Sequence, residues 1–275
     1  MKRALLACMS VVIVGCGGGA AATSAGNQLT VDTGFVVTGN AESAGGATWA
    51  FRGTVDGVAY DLTGVLFKPA GSGPFPAVVL SHGSDGSAAF LSSLLAPTMV
   101  QWGMVCIAVN YTHATGVPIG APGTATDIGA SQANVLRVHM THELLRRLGY
   151  VDMSRVAHHG HSLGAYLGVA AIAAYPNDFR VASHTGGGVR PTAIVIGPAP
   201  TVTQAAAVRI PYQAHHGDAD SEVPLAYDQR LDSVLTAVHV DHQLIVYPGA
   251  DHLAVRSSPT TLARIHDWYQ LHGMF

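Results

Sequence analysis

The pentapeptide Gly160-His161-Ser162-Leu163-Gly164 constrains this chain more than any other stretch. It sets a serine between two glycines at the G-x-S-x-G spacing. Before it, Arg155-Val156-Ala157-His158-His159 can form a strand; from Leu163 to Tyr175 a run rich in Ala and Leu can form a helix. A strand that turns sharply into a helix strains the residue between them, and side chains two before and two after it would collide. Glycines 160 and 164 remove those collisions. The flanking context lifts the motif above the chance matches that abundant Gly and Ser produce. A serine presented in this way points to nucleophilic catalysis through a covalent intermediate.

The rest of the chain must supply a sheet for that turn to stand on. At 275 residues and 28.4 kDa it suits one α/β domain with a sheet buried on both faces, and is short for two substantial domains. Thr48–Arg52 and Val58–Phe67 read as antiparallel strands with Asp56-Gly57 at the turn. Strand and helix patterns then alternate. Ala77–Leu80 and Met104–Asn110 read as buried strands flanking a helix, Ala88–Trp102, broken near Pro97. A long amphipathic helix is expected over Asp127–Leu148, opened by Thr126 or Asp127 and closed by Gly149. Val156–His159, Ala193–Ile196, Tyr212–His215 and Gln243–Tyr247 read as further strands, with Pro224–Val238 and Pro259–Leu271 as helices. Apolar strands separated by helices imply a mostly parallel central sheet covered on both faces, with antiparallel strands at its amino-terminal side.

Charged residues make up only 11% and the net charge is -3, which gives no footprint for nucleic acid. The first residues have the form of an export signal: Lys2 and Arg3, then the almost wholly apolar Ala4–Val14, too short to span a bilayer. Ile13-Val14-Gly15-Cys16 resembles the lipobox of bacterial lipoproteins, which implies a lipid anchor on Cys16 and a place at the cell envelope; an ordinary cleaved signal implies periplasm or secretion. The expected organisation is a signal over 1–16, a small-residue tether over 17–28 and one catalytic domain over 29–275. Of the cysteines at 8, 16 and 106, only Cys106 lies inside the domain, so no disulfide forms there and its apolar neighbours mark it as a structural thiol.

A serine at its free pKa needs a histidine base, and that histidine needs an acid to orient it. Ligand sites of open parallel sheets lie at the carboxyl ends of strands, which narrows the search. The strand at Tyr212 runs into Asp218-Ala219-Asp220-Ser221-Glu222-Val223-Pro224, so Asp220 and Asp218 are both candidate acids; Asp218 can instead cap its own turn. His252 is picked from 15 histidines because it follows the last strand and comes after the acid. Its neighbour Asp251 reads as a loop-fixing carboxylate. The N–H of Leu163 is one expected oxyanion donor, and the loop after Val78–Leu80 faces the same edge. His158, His159, His161, His215 and His216 raise the question of a metal. Neighbouring strand residues point to opposite faces, and there is no H-E-x-x-H, so no metal and no cofactor are expected.

Three of these segments carry a resemblance. The stretch from Gly217 to Pro224 resembles the G-x-x-D-x-x-V-P segment of α/β-hydrolases, which implies Asp220 as the acid. Gly249 to His252 resembles their G-x-x-H segment, which implies His252 as the general base. His82-Gly83-Ser84-Asp85-Gly86 resembles their H-G-x-x-G loop, which implies Ser84 as the second oxyanion donor and His82 as a loop brace. The order Ser162, Asp220, His252 is that of the α/β-hydrolase fold. The resemblance runs from about Val58 to the carboxyl terminus and is greatest to the capless branch: dienelactone-hydrolase-like and platelet-activating-factor-acetylhydrolase-like esterases and the cutinase or polyester-hydrolase group. One departure is plain, since dienelactone hydrolase proper uses cysteine where this chain has Ser162. Serine also argues against haloalkane dehalogenases and epoxide hydrolases, which use aspartate. Polyester hydrolases commonly carry methionine at the position of Leu163 and a tryptophan soon after it, and Trp102 and Trp268 lie elsewhere.

Only Pro198 to Pro211 separates the expected strand at Ile196 from the next, too little for a helical cap, so an open site is expected. Its rim is expected at Thr112–Thr126 and Ser183–Arg190. The implied activity is hydrolysis of short-chain or accessible polymeric esters through an acyl-enzyme. The alternatives are a peptidase of the same fold, which would usually need a propeller domain, and a surface lipoprotein that uses the fold only for binding.

Overall fold

Four segments, Phe75–Ser81, Val105–Val109, Val181–Thr185 and Tyr212–Gly217, are buried along almost their whole length. Strands buried on both faces belong to a parallel sheet with helices on each side. The computed structural model describes residues 28–32, 34–84, 86–190 and 199–275, and the expected signal, Cys16 and nearly all of the expected tether lie outside them. In chain order the elements are β1 (Gln28–Asp32), β2 (Phe35–Gly39), β3 (Ala47–Val55), β4 (Val58–Phe67), β5 (Phe75–Ser81), α1 (Ala88–Gln101), β6 (Val105–Val109), α2 (Gln132–Arg147), β7 (Val151–His161), α3 (Leu163–Ala174), β8 (Val181–Thr185), α4 (Val202–Ala205), β9 (Tyr212–Gly217), α5 (Ala226–Ala237), β10 (His242–Tyr247) and α6 (Pro259–Leu271). Among the described residues ten strands form one sheet in the order β1-β2-β3-β4-β6-β5-β7-β8-β9-β10. β1 to β4 and the β4–β6 pair are antiparallel, and β6 through β10 are parallel. This is the expected α/β architecture.

Each face has its own core. On one side Leu91, Leu95 and Met99 of α1 meet Leu262, Ile265 and Trp268 of α6 over Val78, Leu80 and Cys106. On the other, Val138 and Leu144 of α2, Leu167 and Ile172 of α3 and Leu231 of α5 cover Val79, Ile107 and Val156. Burial pushes the Cys106 thiol far up, and it is a free, inert core residue. No helix among the described residues is long and apolar enough to cross a membrane.

Several boundaries differ from the sequence reading. Two strands, β1 and β2, precede the first expected one and extend the antiparallel edge. α1 continues through Pro97, because the loss of one N–H is offset by Leu95, Ala96 and Met99, all buried against the sheet. α2 starts at Gln132, capped by Ser131 whose hydroxyl accepts from the Asn134 N–H; Asp127 instead accepts from the Thr124 N–H and hydroxyl to close a turn, and Gly129 at φ 52° breaks helical geometry between them. The strand after α3 is Val181–Thr185, and its last three residues fall in the Ser183–Arg190 stretch expected above to form the site's rim. The strand expected at Ala193–Ile196 lies outside the described residues. The interval between β8 and β9 is therefore 186–211, longer than the stretch on which the absence of a cap was argued; among its described residues only the four-residue α4 is helical.

Candidate active site

The serine turn is held by two close backbone approaches. A Cβ at Gly160 would sit 2.3 Å from the Gly164 carbonyl oxygen, and one at Gly164 would sit 1.9 Å from that of Ser81. Neither position tolerates a side chain. Between them Ser162 adopts φ 56° and ψ -119°, a conformation that non-glycine residues occupy only under constraint. Its N–H donates to the Thr185 carbonyl at 3.0 Å, so β8 fixes the turn from the other side. Ser162 follows the 11-residue β7 and opens α3, whose first N–H groups, including that of Leu163, have no acceptor within the helix.

Asp220 and His252 arrive after β9 and β10, the two strands beyond β8 in the sheet. The loop after β9 carries Asp220, whose Oδ1 accepts from the N–H groups of Glu222 and Val223 at 2.9 and 2.8 Å. His252 Nδ1 donates to its Oδ2 at 2.7 Å. The alternative, Asp218, accepts instead from the Gly249 N–H at 2.6 Å, and Asp251 accepts from the N–H groups of Leu253 and Ala254. Both are exposed loop clips. His252 and Ser162 rest on the same short segment: a Cβ at Gly186, the residue after Thr185, would lie 2.9 Å from the His252 ring. The ring of His161 packs 4.7 Å from that of His252. Glu222 brings a carboxylate oxygen to 3.9 Å from His252 Nε2, the nitrogen left over after Asp220 is bound.

Ser84 lies just past the end of β5 and is exposed, on a loop braced by His82. His82 Nδ1 faces the Gly83 carbonyl at 2.8 Å and its Nε2 accepts from the Tyr111 N–H at 3.2 Å. Burial, with help from His113, pushes His82 down to about 3, so it is neutral and structural. The 112–126 loop is tied down by α2. Arg137 donates to the carbonyl oxygens of Asn110, Gly120 and Pro122, and Asn134 holds Thr112 and Gly129. Exposed Phe90 and Leu253 offer apolar surface, with the Arg256 guanidinium 5.1 Å over the Phe90 ring.

The other histidines singled out in the sequence serve this scaffold. His158 meets Ser81 and His159 meets Ser183, each at 2.8 Å. His161 meets Thr185, and His215 meets Tyr247 and Gln213. His216 does more. Behind Asp220 runs a fully buried polar chain: Tyr212 hydroxyl to His184 Nδ1 at 2.8 Å, His184 Nε2 to Asp228 at 2.7 Å, and Asp228 to His216 Nδ1 at 2.7 Å. His216 Nε2 then donates to the Val223 carbonyl at 2.9 Å and lies 3.3 Å from Asp220 Oδ2. Burial opposes charge on His216, but its hydrogen bond to Asp228 and the carboxylates on both sides outweigh it and raise its pKa. Burial likewise opposes charge on Asp228, yet His184 and His216 hold its carboxyl below the usual carboxylate range. Asp228→Asn should therefore cost about 3–5 kcal/mol in urea unfolding at pH 7, since it strips a buried cation of its partner; a cost under about 1 kcal/mol would mean that the pair is not ionised.

A profile of the dienelactone hydrolase family matches residues 62–263. No curated protein matches the sequence significantly. Similar solved structures include a cold-adapted esterase from an Arctic intertidal metagenomic library, with TM-score 0.62, 18% identity and coverage of 84% of this chain and 95% of that one. The S-formylglutathione hydrolase of Agrobacterium tumefaciens has TM-score 0.62, 16% identity and coverage of 91% and 100%. An acylaminoacyl peptidase of Pyrococcus horikoshii has TM-score 0.62, 17% identity and coverage of 81% of this chain but 40% of its own. At these identities the likeness is one of fold.

Proposed function

Since the chain belongs to the dienelactone hydrolase family, we propose that it is a serine carboxylic-ester hydrolase working through Ser162, His252 and Asp220. The observation that carries this reading is the 2.7 Å His252–Asp220 contact packed against Gly186, one residue past the Thr185 carbonyl that receives the N–H of Ser162, a serine held at φ 56° on a nucleophile turn. Ser162 attacks the ester carbonyl as His252 takes its proton, while Asp220 fixes the imidazole tautomer. The N–H groups of Leu163 and Ser84 receive the oxyanion. His252 returns its proton to the departing alcohol, and a water that it then activates releases the acid from the acyl-enzyme. His216, between Asp228 and Asp220, holds the acid from behind.

Glu222 beside His252 disfavours anionic substrates, and Phe90 and Leu253 suit a short apolar acyl or alkyl group. We place the protein in the cell envelope through its leader, with Cys16 as the anchor. The test is a panel of p-nitrophenyl esters and aminoacyl p-nitroanilides, run together with fluorophosphonate labelling. Labelling with turnover of neutral short-chain esters supports the reading; turnover of the anilides alone makes it a peptidase, and absence of label and turnover leaves a binding protein.

A further inference from the structure

A second cluster of donor atoms lies at the opposite end of the sheet. α2 carries His139, His142 and Glu143, and residues three and four apart on a helix share a face. Across from them stands Asp178, after the carboxyl end of α3. His142 Nδ1 is 3.1 Å from Glu143 Oε1 and 3.6 Å from Asp178 Oδ1, and all three donor atoms lie within 4.8 Å of one another. A tetrahedral zinc ion with bonds of about 2.0–2.2 Å sets its donors about 3.3–3.5 Å apart. The two shorter separations bracket that spacing without any rearrangement.

The surroundings fit a metal better than a simple ion pair. His142 is buried against Phe179, and its Nε2 has no hydrogen-bond partner, so every polar contact of the ring lies on the Nδ1 side. The other oxygen of Asp178 is held by His139 Nδ1 at 2.8 Å, and the His139 ring stacks on Tyr175 at 3.8 Å. That is the outer-sphere arrangement that orients a ligating carboxylate. Arg146 lies 3.4 Å from each Glu143 oxygen and steadies the remaining ligand. One imidazole with two carboxylates selects zinc over magnesium or calcium, which prefer oxygen alone.

We propose that His142 Nδ1, Glu143 and Asp178 Oδ1 bind a zinc ion, completed by water, that ties α2 to the connection between α3 and β8. The 12 residues of α3 separate it from Ser162 by about 18 Å, so the ion takes no part in ester chemistry. The site stands independently of the function proposed above.

The test is zinc chloride titrated calorimetrically into chelator-treated full-length protein at pH 7.5, with thermal unfolding in zinc and, as control, in magnesium. One equivalent is expected to bind and to raise Tm, with no rise in magnesium. Asp178→Asn and Glu143→Gln, both at partly exposed positions, should each weaken binding by about 10-fold to 100-fold and abolish the Tm rise. Circular dichroism and ester turnover of the zinc-free variants should match the parent. His266→Ala, on a separate helix, should bind like the parent. Absence of binding, or equal binding by the parent and both variants, overturns the proposal; the second result would place the zinc on other histidines of the surface.

Discussion

Ser162→Ala is expected to lower kcat/KM for p-nitrophenyl butyrate by about 10⁴-fold or more while leaving the protein folded. The size follows from the loss of a nucleophile that no neighbour can replace: residual rate would come only from the oxyanion donors and from substrate positioning. Alanine at φ 56° is as strained as serine, and Ser162 makes no side-chain capping bond to α3, so stability should move by under about 1 kcal/mol. Ser162→Gly should be equally inactive but more stable by about 1 kcal/mol, because glycine relieves the backbone strain. His252→Gln should lose nearly as much activity, and the double variant Ser162→Ala/His252→Gln little more than either, since members of one catalytic unit are non-additive. Steady-state kinetics with urea unfolding of each variant decides the matter. Activity within tenfold of the parent in folded Ser162→Ala would move the nucleophile elsewhere.

The segments around these three residues were readable because each is local. The elbow, the Gly217–Pro224 loop and the Gly249–His252 loop are short stretches whose backbone demands are written in Gly, Pro and Asp. β8 was not readable for the opposite reason. Val181-Ala182-Ser183-His184-Thr185 is fully buried yet three-fifths polar, and its polar groups are satisfied by His159, Tyr212, Asp228 and His161, all distant in sequence. Hydropathy credits a strand only when its own residues are apolar, and β8 offers little of that signal. The same blindness hid Asn134, Arg137 and Asp228. Each sits on a helix, where a polar residue reads as a solvent-facing position, and each is buried to hold a loop or a histidine. β1 and β2 do carry the alternating apolar residues, Leu29 and Val31, then Phe35 and Val37, that a period-two pattern predicts.

That reliance on buried imidazole makes the fold acid-sensitive, and a steep loss of stability is expected between pH 7 and pH 5. Burial is the main cause that pushes His82, His158 and His215 down to about 3 and His113 down to about 4, and it takes His159 and His161 well below the ordinary value of 6.5. Below pH 6.5 the unfolded chain takes up protons that the folded chain refuses, so stability falls as pH falls. For a histidine whose folded pKa lies well below 5, the loss at pH 5 is about 2 kcal/mol. The four with values near 3 and 4 together lose about 8 kcal/mol, comparable to the whole stability of an ordinary domain at about 5–15 kcal/mol. His216 and His139 work in the other direction: their raised pKa values contribute stability that is complete below 6.5 and is lost as pH rises through the folded values, but they are two groups against at least four. Asp228, held below the usual range, stays ionised throughout this window. Urea midpoints at pH 8, 7, 6 and 5, at fixed ionic strength, should drop with a slope that steepens below pH 6.5, and the protein should be near its unfolding threshold at about pH 5. A midpoint that stays level from pH 7 to pH 5 would mean that the buried histidines accept protons in place, and that the serine, tyrosine and backbone groups around them are looser than the structure has them.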